Sequence, residues 1–322
     1  MVEMVIVGSI GYDDIETPVA SGSDILGGSA VHSGVSSSFH LPLVPGGSPR
    51  VGIVGPVGND FSDSHKSLLE GLGIDLSGVE KLDGQTFRWS GKYEGAMENV
   101  ETISTEVNVL GEFQPEIPEP WTKPNVLFCA NTHPSSQVAV LDQCPSVEIS
   151  AIDTFMLWIE EEFETLSLAL RKADIAILNE EEVCAIAGEQ SFTQAINPIM
   201  EGSCLHGGKD AGSGPRGLIV KRGSSGVMAN LPCGIIVLPA FPVREMVDPT
   251  GCGDSFAGAL LANMSGRKGI LNDLEGMRSA MVHAIVTSSF TLGGLGSTNL
   301  QSLERGVYHG RMDRYRRMVG LN

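Results

Sequence analysis

The chain has 322 residues, 42% of them hydrophobic, with 40 glycines and a formal net charge of −18. That length and apolar content fit one large α/β domain rich in tight turns, and the negative charge argues against nucleic acid or an anionic membrane surface as partner. No apolar run reaches membrane-spanning length and residues 1–10 lack a signal peptide's basic start, so a cytoplasmic protein without membrane contact is expected.

The predicted elements alternate along the chain. A strand at Met4–Val7 leads through Gly8-Ser9-Ile10-Gly11-Tyr12-Asp13 to Gly27-Gly28-Ser29 and a helix at Ser29–Phe39. A strand at Val51–Val54 precedes Gly55-Pro56-Val57-Gly58-Asn59-Asp60 and a helix at Phe61–Leu72. Thr86–Tyr93 and Glu101–Val109 then break the rhythm: both alternate with period two about Gly95–Asn99, a hairpin pattern. With residues 12–25, the stretch 86–110 predicts a small β lid inserted in the domain; a plain surface hairpin fits the same letters.

Strands follow at Val126–Ala130, Ser150–Asp153, Ile175–Leu178, Gly217–Lys221, Val227–Ala229 and Ile235–Leu238. Helices are expected at Ser136–Gln143, Met156–Ala173, Glu180–Ala187, Asp254–Met264 and Leu274–Phe290, and the basic stretch Arg311–Arg317 reads as a solvated helix face. Buried strands alternating with helices imply a doubly wound, mostly parallel sheet flanked by helices, spanning residues 1–322. The polar loop Glu201–Pro215 mimics a phosphate-binding loop at Gly208-Lys209. Ser203 stands where its first glycine belongs and Asp210 where its Ser/Thr belongs, so it reads as a connection. The six cysteines have no C-x-x-C spacing and read as reduced thiols.

The most informative segment is Asp248-Pro249-Thr250-Gly251-Cys252-Gly253-Asp254, a loop feeding a helix N-terminus. Amides of Gly251, Cys252 and Gly253 would point out of that terminus toward an anion, and small residues let a phosphoryl group approach. Asp254 in the first turn is positioned to take a proton from an attacking hydroxyl, although such an Asp is often only a cap.

These residues resemble the D-T-x-G-A-G-D signature of the ribokinase-like (PfkB) family of sugar and nucleoside kinases, with Pro249 and Cys252 as departures. The resemblance implies an ATP-dependent phosphotransferase with Asp254 as general base, the Gly251–Gly253 amides as anion hole, and Mg2+ as cofactor. It assigns Asp13, Gly27, Gly28 and Ser29 to the substrate. Asn179 and Glu182 match the family's N-x-x-E, with Glu182 acting on magnesium through water. Gly223 and Gly226, with Lys221 or Arg222, fall to the nucleotide, and His283 stands where adenine contacts are found. The Asp248 and Thr250 carbonyls fall at a monovalent-cation site, which raises K+ as a further cofactor, and a homodimer through the lid follows from the same precedent. The family's frequent Asn, four places after the second glycine, is His32 here, a departure bearing on which hydroxyl is read.

A sugar or sugar derivative is the expected substrate. A nucleoside is the alternative, since Phe87, Trp89 and Tyr93 either stack on a base or pack the hairpin. A non-catalytic binding protein on the same scaffold is disfavoured by the intact Asp254. A dehydrogenase is disfavoured because Gly8–Gly11 does not complete G-x-G-x-x-G.

Overall fold

The computed structural model describes residues 2–321. Strand β1 (Met4–Val7) is buried on both faces, as the centre of a parallel sheet requires. The pair β2 (Gly11–Glu16) and β3 (Ser21–Gly27) leaves the sheet before α1 (Ser29–His40) returns to it. One wing is then built from β4 (Val51–Val57), α2 (Asp63–Gly71) and β5 (Ile74–Lys81). After the hairpin β6 (Phe87–Tyr93) and β7 (Val100–Glu106), the other wing begins with β8 (Val126–Cys129), α3 (Pro134–Gln143) and β9 (Ile149–Ile152). It continues through α4 (Met156–Glu161), α5 (Phe163–Lys172), β10 (Ile175–Asn179), α6 (Glu180–Ala187), α7 (Phe192–Met200) and β11 (Gly217–Lys221). The hairpin β12 (Val227–Leu231) and β13 (Gly234–Leu238) precedes α8 (Cys252–Met264), α9 (Leu274–Thr291), α10 (Thr298–Gln301) and α11 (Arg305–Met318).

The nine-stranded sheet runs β13-β12-β11-β10-β9-β8-β1-β4-β5 and is parallel except for β12, antiparallel to both neighbours. Its pleat feeds two cores. Met4 and Ile6 of β1 join α1, α8 and α9 on one face, and Val5 and Val7 join α3 and α5 on the other. This is the doubly wound α/β fold expected. A second sheet, β3-β2-β6-β7, has β2 parallel to β6 with Asp13 opposite Trp89.

Several elements differ from expectation for local reasons. The half-polar edge strand β5 lacks a clean apolar period, and α7 hides its buried face (Phe192, Ala195, Ile196, Ile199) behind Pro198. The helix expected over Met156–Ala173 breaks at Glu162, whose φ of −127° leaves the helical range. The tail is not merely a solvated face. α11 buries Tyr308, Met312 and Tyr315, and the Arg311 guanidinium lies 3.5 Å from the Phe290 ring centroid while donating to Ser289 Oγ. The loop Glu201–Pro215 is gathered by Arg171, which donates to the carbonyls of Gly202, His206, Gly208 and Gly212.

The contact that positions the site is α1 against α8. Ser33, Ser36 and Ser37 are fully buried and donate to the carbonyls of Asp254, Ser255 and Gly258, at 3.2, 2.5 and 3.0 Å. Gly258 permits the approach, because a Cβ there would overlap the Ser33 carbonyl. Gly258→Ala is therefore expected to cost about 1–3 kcal/mol through overpacking, read as a lower thermal midpoint. An unchanged midpoint would show that the two helices part freely.

Candidate active site

A cavity of about 300 Å3 lies between the two sheets, at the C-terminal ends of β1, β8, β9, β10 and β11. β1 has β4 on one side and β8 on the other, so the crossovers diverge here and leave the crevice that α/β sheets use for ligands.

Its floor is the turn into α8. The buried Asp248 carboxylate accepts from the amides of Thr250 and Gly296, each at 2.8 Å, and fixes the loop. Thr250 Oγ1 meets Tyr93 Oη at 3.1 Å, tying the loop to β6. Gly251 caps α8 in the left-handed region at φ 70°. The Cys252 amide, expected in the anion hole, donates instead to the Pro249 carbonyl at 3.1 Å, because the tight turn needs that bond. Among the described residues the Gly251 and Gly253 amides find no acceptor and remain for an anion. Burial pushes the Cys252 thiol up to about 11, so it is an inert neighbour. Burial and then Asp153 raise Asp254, His32 and Lys221 pull it back, and it settles at about 6.

Against the first turn of α8 lies Lys221, whose Nζ would stand 3.2 Å from a Cβ at Gly253. It pairs with Asp153 Oδ2 at 2.7 Å. Burial alone would lower the lysine, but Asp153 and Glu182 more than offset it and hold it charged. Burial and Asp153 push Glu182 up to about 8. Glu182 and Asn179 also form a reciprocal cap of α6, each side chain accepting from the other's amide at 2.8 Å. That cap engages Glu182 Oε2 while the residue still lines the cavity. Arg222 turns away, bonding Glu180 at 3.0 Å and stacking over Phe192, so Lys221 is the basic residue of the site.

Three residues expected at the nucleotide lie outside this cavity. Gly223 and Gly226 are not among the residues lining the cavity. A Cβ at Gly226, at φ 97°, would overlap the backbone of residues 238–240, so the packing against the end of β13 by itself demands the glycine. His283 is likewise absent from the lining: its Nδ1 bonds Tyr308 Oη at 2.5 Å and its ring stacks on the same tyrosine. Burial there pushes the imidazole down to about 4.

At the other end stands Asp13, buried on β2, while Asp14 faces outward and accepts from the Asp24 amide at 2.9 Å. A side chain at Gly27 would overlap the Asp13 carboxylate, and one at Gly28, at φ 94°, would strike the Ser9 carbonyl. Ser29 lines the cavity, but its hydroxyl donates to Asn131 O and accepts from Ser9 N, so it joins the ends of β1 and β8 to α1. His32 lies between Asp13 and Gly251. Five aromatic residues complete the lining: Phe87, Trp89 and Tyr93 from β6, and Phe155 and Trp158 beyond β9. Trp158 is oriented by Asn131 Oδ1 at 2.9 Å. Asp153, Phe155 and Trp158 were missed in the sequence, although a polar residue at a strand's C-terminal end is the available signal for Asp153.

Among the described residues, no group of three or more His, Cys, Asp or Glu could hold a metal on protein ligands alone, and no helix is long and apolar enough to cross a membrane.

Paired amides, an ammonium group and a carboxylate titrating near neutrality suit a phosphoryl group in transit to an alcohol, which places the chain among the small-molecule phosphotransferases. The model of the pfkB carbohydrate kinase family matches residues 48–272, and the chain belongs to that family. A cytidine kinase from Thermococcus kodakarensis is 27% identical over 275 residues, covering 82% of this chain and 89% of that protein. Among solved structures, a ribokinase from Giardia lamblia superposes with a TM-score of 0.76 at 16% identity, covering 96% of this chain and 99% of that one. A Burkholderia thailandensis nucleoside kinase in complex with inosine gives 0.73 at 16% identity, with coverage of 97% and 98%. An E. coli protein described as a ribokinase II, in complex with ATP and Mg2+, gives 0.73 at 20% identity, with coverage of 98% and 100%. The chain is a kinase that phosphorylates a hydroxyl of a sugar or nucleoside.

Proposed function

We propose that the acceptor is a nucleoside, phosphorylated on a sugar hydroxyl, with Asp254 as general base. The observation that carries this is the set of aromatic rings on the small sheet and beyond β9. A free sugar needs polar partners over most of its surface, whereas a base presents a π-face to rings of this kind. The cytidine kinase relative supports the same choice.

On this reading Asp13 holds the ribose, and the Gly251 and Gly253 amides with Lys221 stabilise charge on the transferring group. Mg2+ bound with ATP neutralises phosphate charge, and Glu182, oriented by its cap with Asn179, would reach it through water. The fit rests on Glu182 being buried among acids and one lysine, so that a nearby cation would favour its ionised form. The small sheet acts as a lid, excluding water that would otherwise accept the phosphoryl group. A potassium ion on the Asp248 and Thr250 carbonyls belongs to this reading. So does pairing of two copies through β7, which is exposed along its whole length.

The test is ADP release from Mg-ATP across ribonucleosides, pentoses, hexoses and sugar phosphates, with and without potassium. The best ribonucleoside is expected to exceed free ribose in kcat/KM by about 10- to 100-fold, the worth of one stacked base. A hexose or sugar phosphate as best acceptor would overturn the nucleoside reading.

A further inference from the structure

Asn131 follows β8 and lines the cavity, half-buried. Its side-chain amide has two unlike ends, and the fold decides which of them meets a ligand. The indole of Trp158, on α4, can only donate, and its Nε1 lies 2.9 Å from Asn131 Oδ1. The oxygen is therefore the end turned toward the tryptophan, and the NH2 group is the end left over. Both partners are held in place. The His133 ring packs edge-on against Trp158 with centroids 5.0 Å apart, and the Asn131 carbonyl accepts from Ser29 Oγ at 3.0 Å. Among the described residues Nδ2 has no hydrogen-bond partner, and it is not sealed from solvent. The cavity thus carries a fixed, open pair of N–H donors, one hydrogen bond away from Ser29 and the Gly27–Gly28 turn of the acceptor end.

A nucleoside offers such donors a constant target. Two base positions flank its glycosidic bond. One is an acceptor in every common base, O2 in pyrimidines and N3 in purines, and the other is a C–H. We propose that Asn131 donates through Nδ2 to this sugar-proximal acceptor, and that it thereby selects a nucleoside over a free sugar whichever base is attached. Trp158 is a positioning residue for this contact. Its N–H keeps the amide from turning its oxygen toward the base, where two acceptors would repel. The inference rests on the nucleoside reading and deepens it, because it assigns to one side chain a preference that stacking leaves to the rings as a group. An aromatic face takes any π-surface, whereas a donor fixed at the rim takes only a ring with an acceptor in register.

The experiment measures kcat/KM for uridine against 2-thiouridine and for adenosine against 3-deazaadenosine, with ribose alongside. Each pair keeps the stacking face and weakens or removes the acceptor, since sulfur accepts poorly and a C–H not at all. The proteins are the wild type, Asn131→Leu, Asn131→Asp and Trp158→Phe, with unfolding midpoints measured for each. The wild type is expected to favour the parent over its analogue by about 10- to 100-fold in at least one pair, the effect of one donor left unpaired. Asn131→Leu should bring that ratio to within about threefold of unity, through loss on the parent alone. Asn131→Asp still accepts from the indole but turns a carboxylate oxygen to the base, so its ratio should reach unity or invert. Trp158→Phe keeps a ring and frees the amide to turn, and should lower the ratio by about 3- to 10-fold. Parent and analogue falling together in both Asn131 variants would reduce Asn131 to a link between β8 and α4, and a wild type blind to both replacements would sink the proposal outright. Ribose as a better acceptor than either parent nucleoside would remove the nucleoside reading and this inference with it. A nucleoside preference with an unmoved ratio removes the inference alone. If Asn131→Leu does not fold, the ratio in Asn131→Asp decides: an unchanged ratio overturns the proposal.

Discussion

Asp254→Asn is expected to lower kcat by roughly 10³- to 10⁴-fold while nucleotide binding persists, the upper range for loss of a general base. The amide keeps the shape of the carboxylate and cannot take the proton from the acceptor. Wild-type activity should rise with pH through about 6, the value to which burial and Asp153 lift this carboxyl, because the base acts only when ionised. That limb should vanish in the variant. Stability should move the opposite way. A carboxyl raised from 3.8 to about 6 stabilises the fold below its unfolded value, and that contribution is lost as pH rises through 6. At pH 8 the variant should therefore melt higher than the wild type, and near pH 4 the difference should close. Comparable turnover in Asp254→Asn, or an acid limb that survives in it, would remove Asp254 as the base.

The parts of the site legible in the sequence are those whose chemistry is local. Gly251, Gly253 and Asp254 stand within four residues, and the turn they form is dictated by small residues ahead of a helical period. The alternation of strands and helices likewise announced a parallel, doubly wound sheet. The Cys252 amide was misjudged because the letters do not show which N–H a tight turn consumes. Asp153 was invisible as a partner because its meaning depends on Lys221, 68 residues away and two strands over. Gly226 was expected at the nucleotide from the turn alone, and the letters did not show that the backbone of residues 238–240 also demands a glycine there. The serines of α1 show no partners in the letters alone. Their role appears only when α8 supplies carbonyls for Ser33, Ser36 and Ser37. Periodicity identifies which face is buried, not what it is buried against.

Lys221→Met is expected to shift the acid limb of the pH–rate profile upward. Lys221 is the cation beside all three acids of this corner: it bonds Asp153 at 2.7 Å and pulls on both Glu182 and Asp254. Removing it leaves those carboxyls with less compensation, so Glu182 and Asp254 climb above about 8 and about 6. At pH 7 more of the base is then protonated, and the phosphoryl oxygens lose an ammonium partner. A combined loss of about 10²- to 10³-fold in kcat is expected, with the protonation share recovered toward pH 9. Unpairing the buried Asp153 should also cost about 3–5 kcal/mol of stability. The double variant Lys221→Met with Asp153→Asn separates the two effects, because it removes the orphaned charge while leaving the phosphoryl group without its cation. Its thermal midpoint should return toward wild type and its kcat should not. A double variant that regains both would reduce Lys221 to a structural ion pair. An unshifted acid limb in the single variant would show that Asp254 titrates independently of this corner.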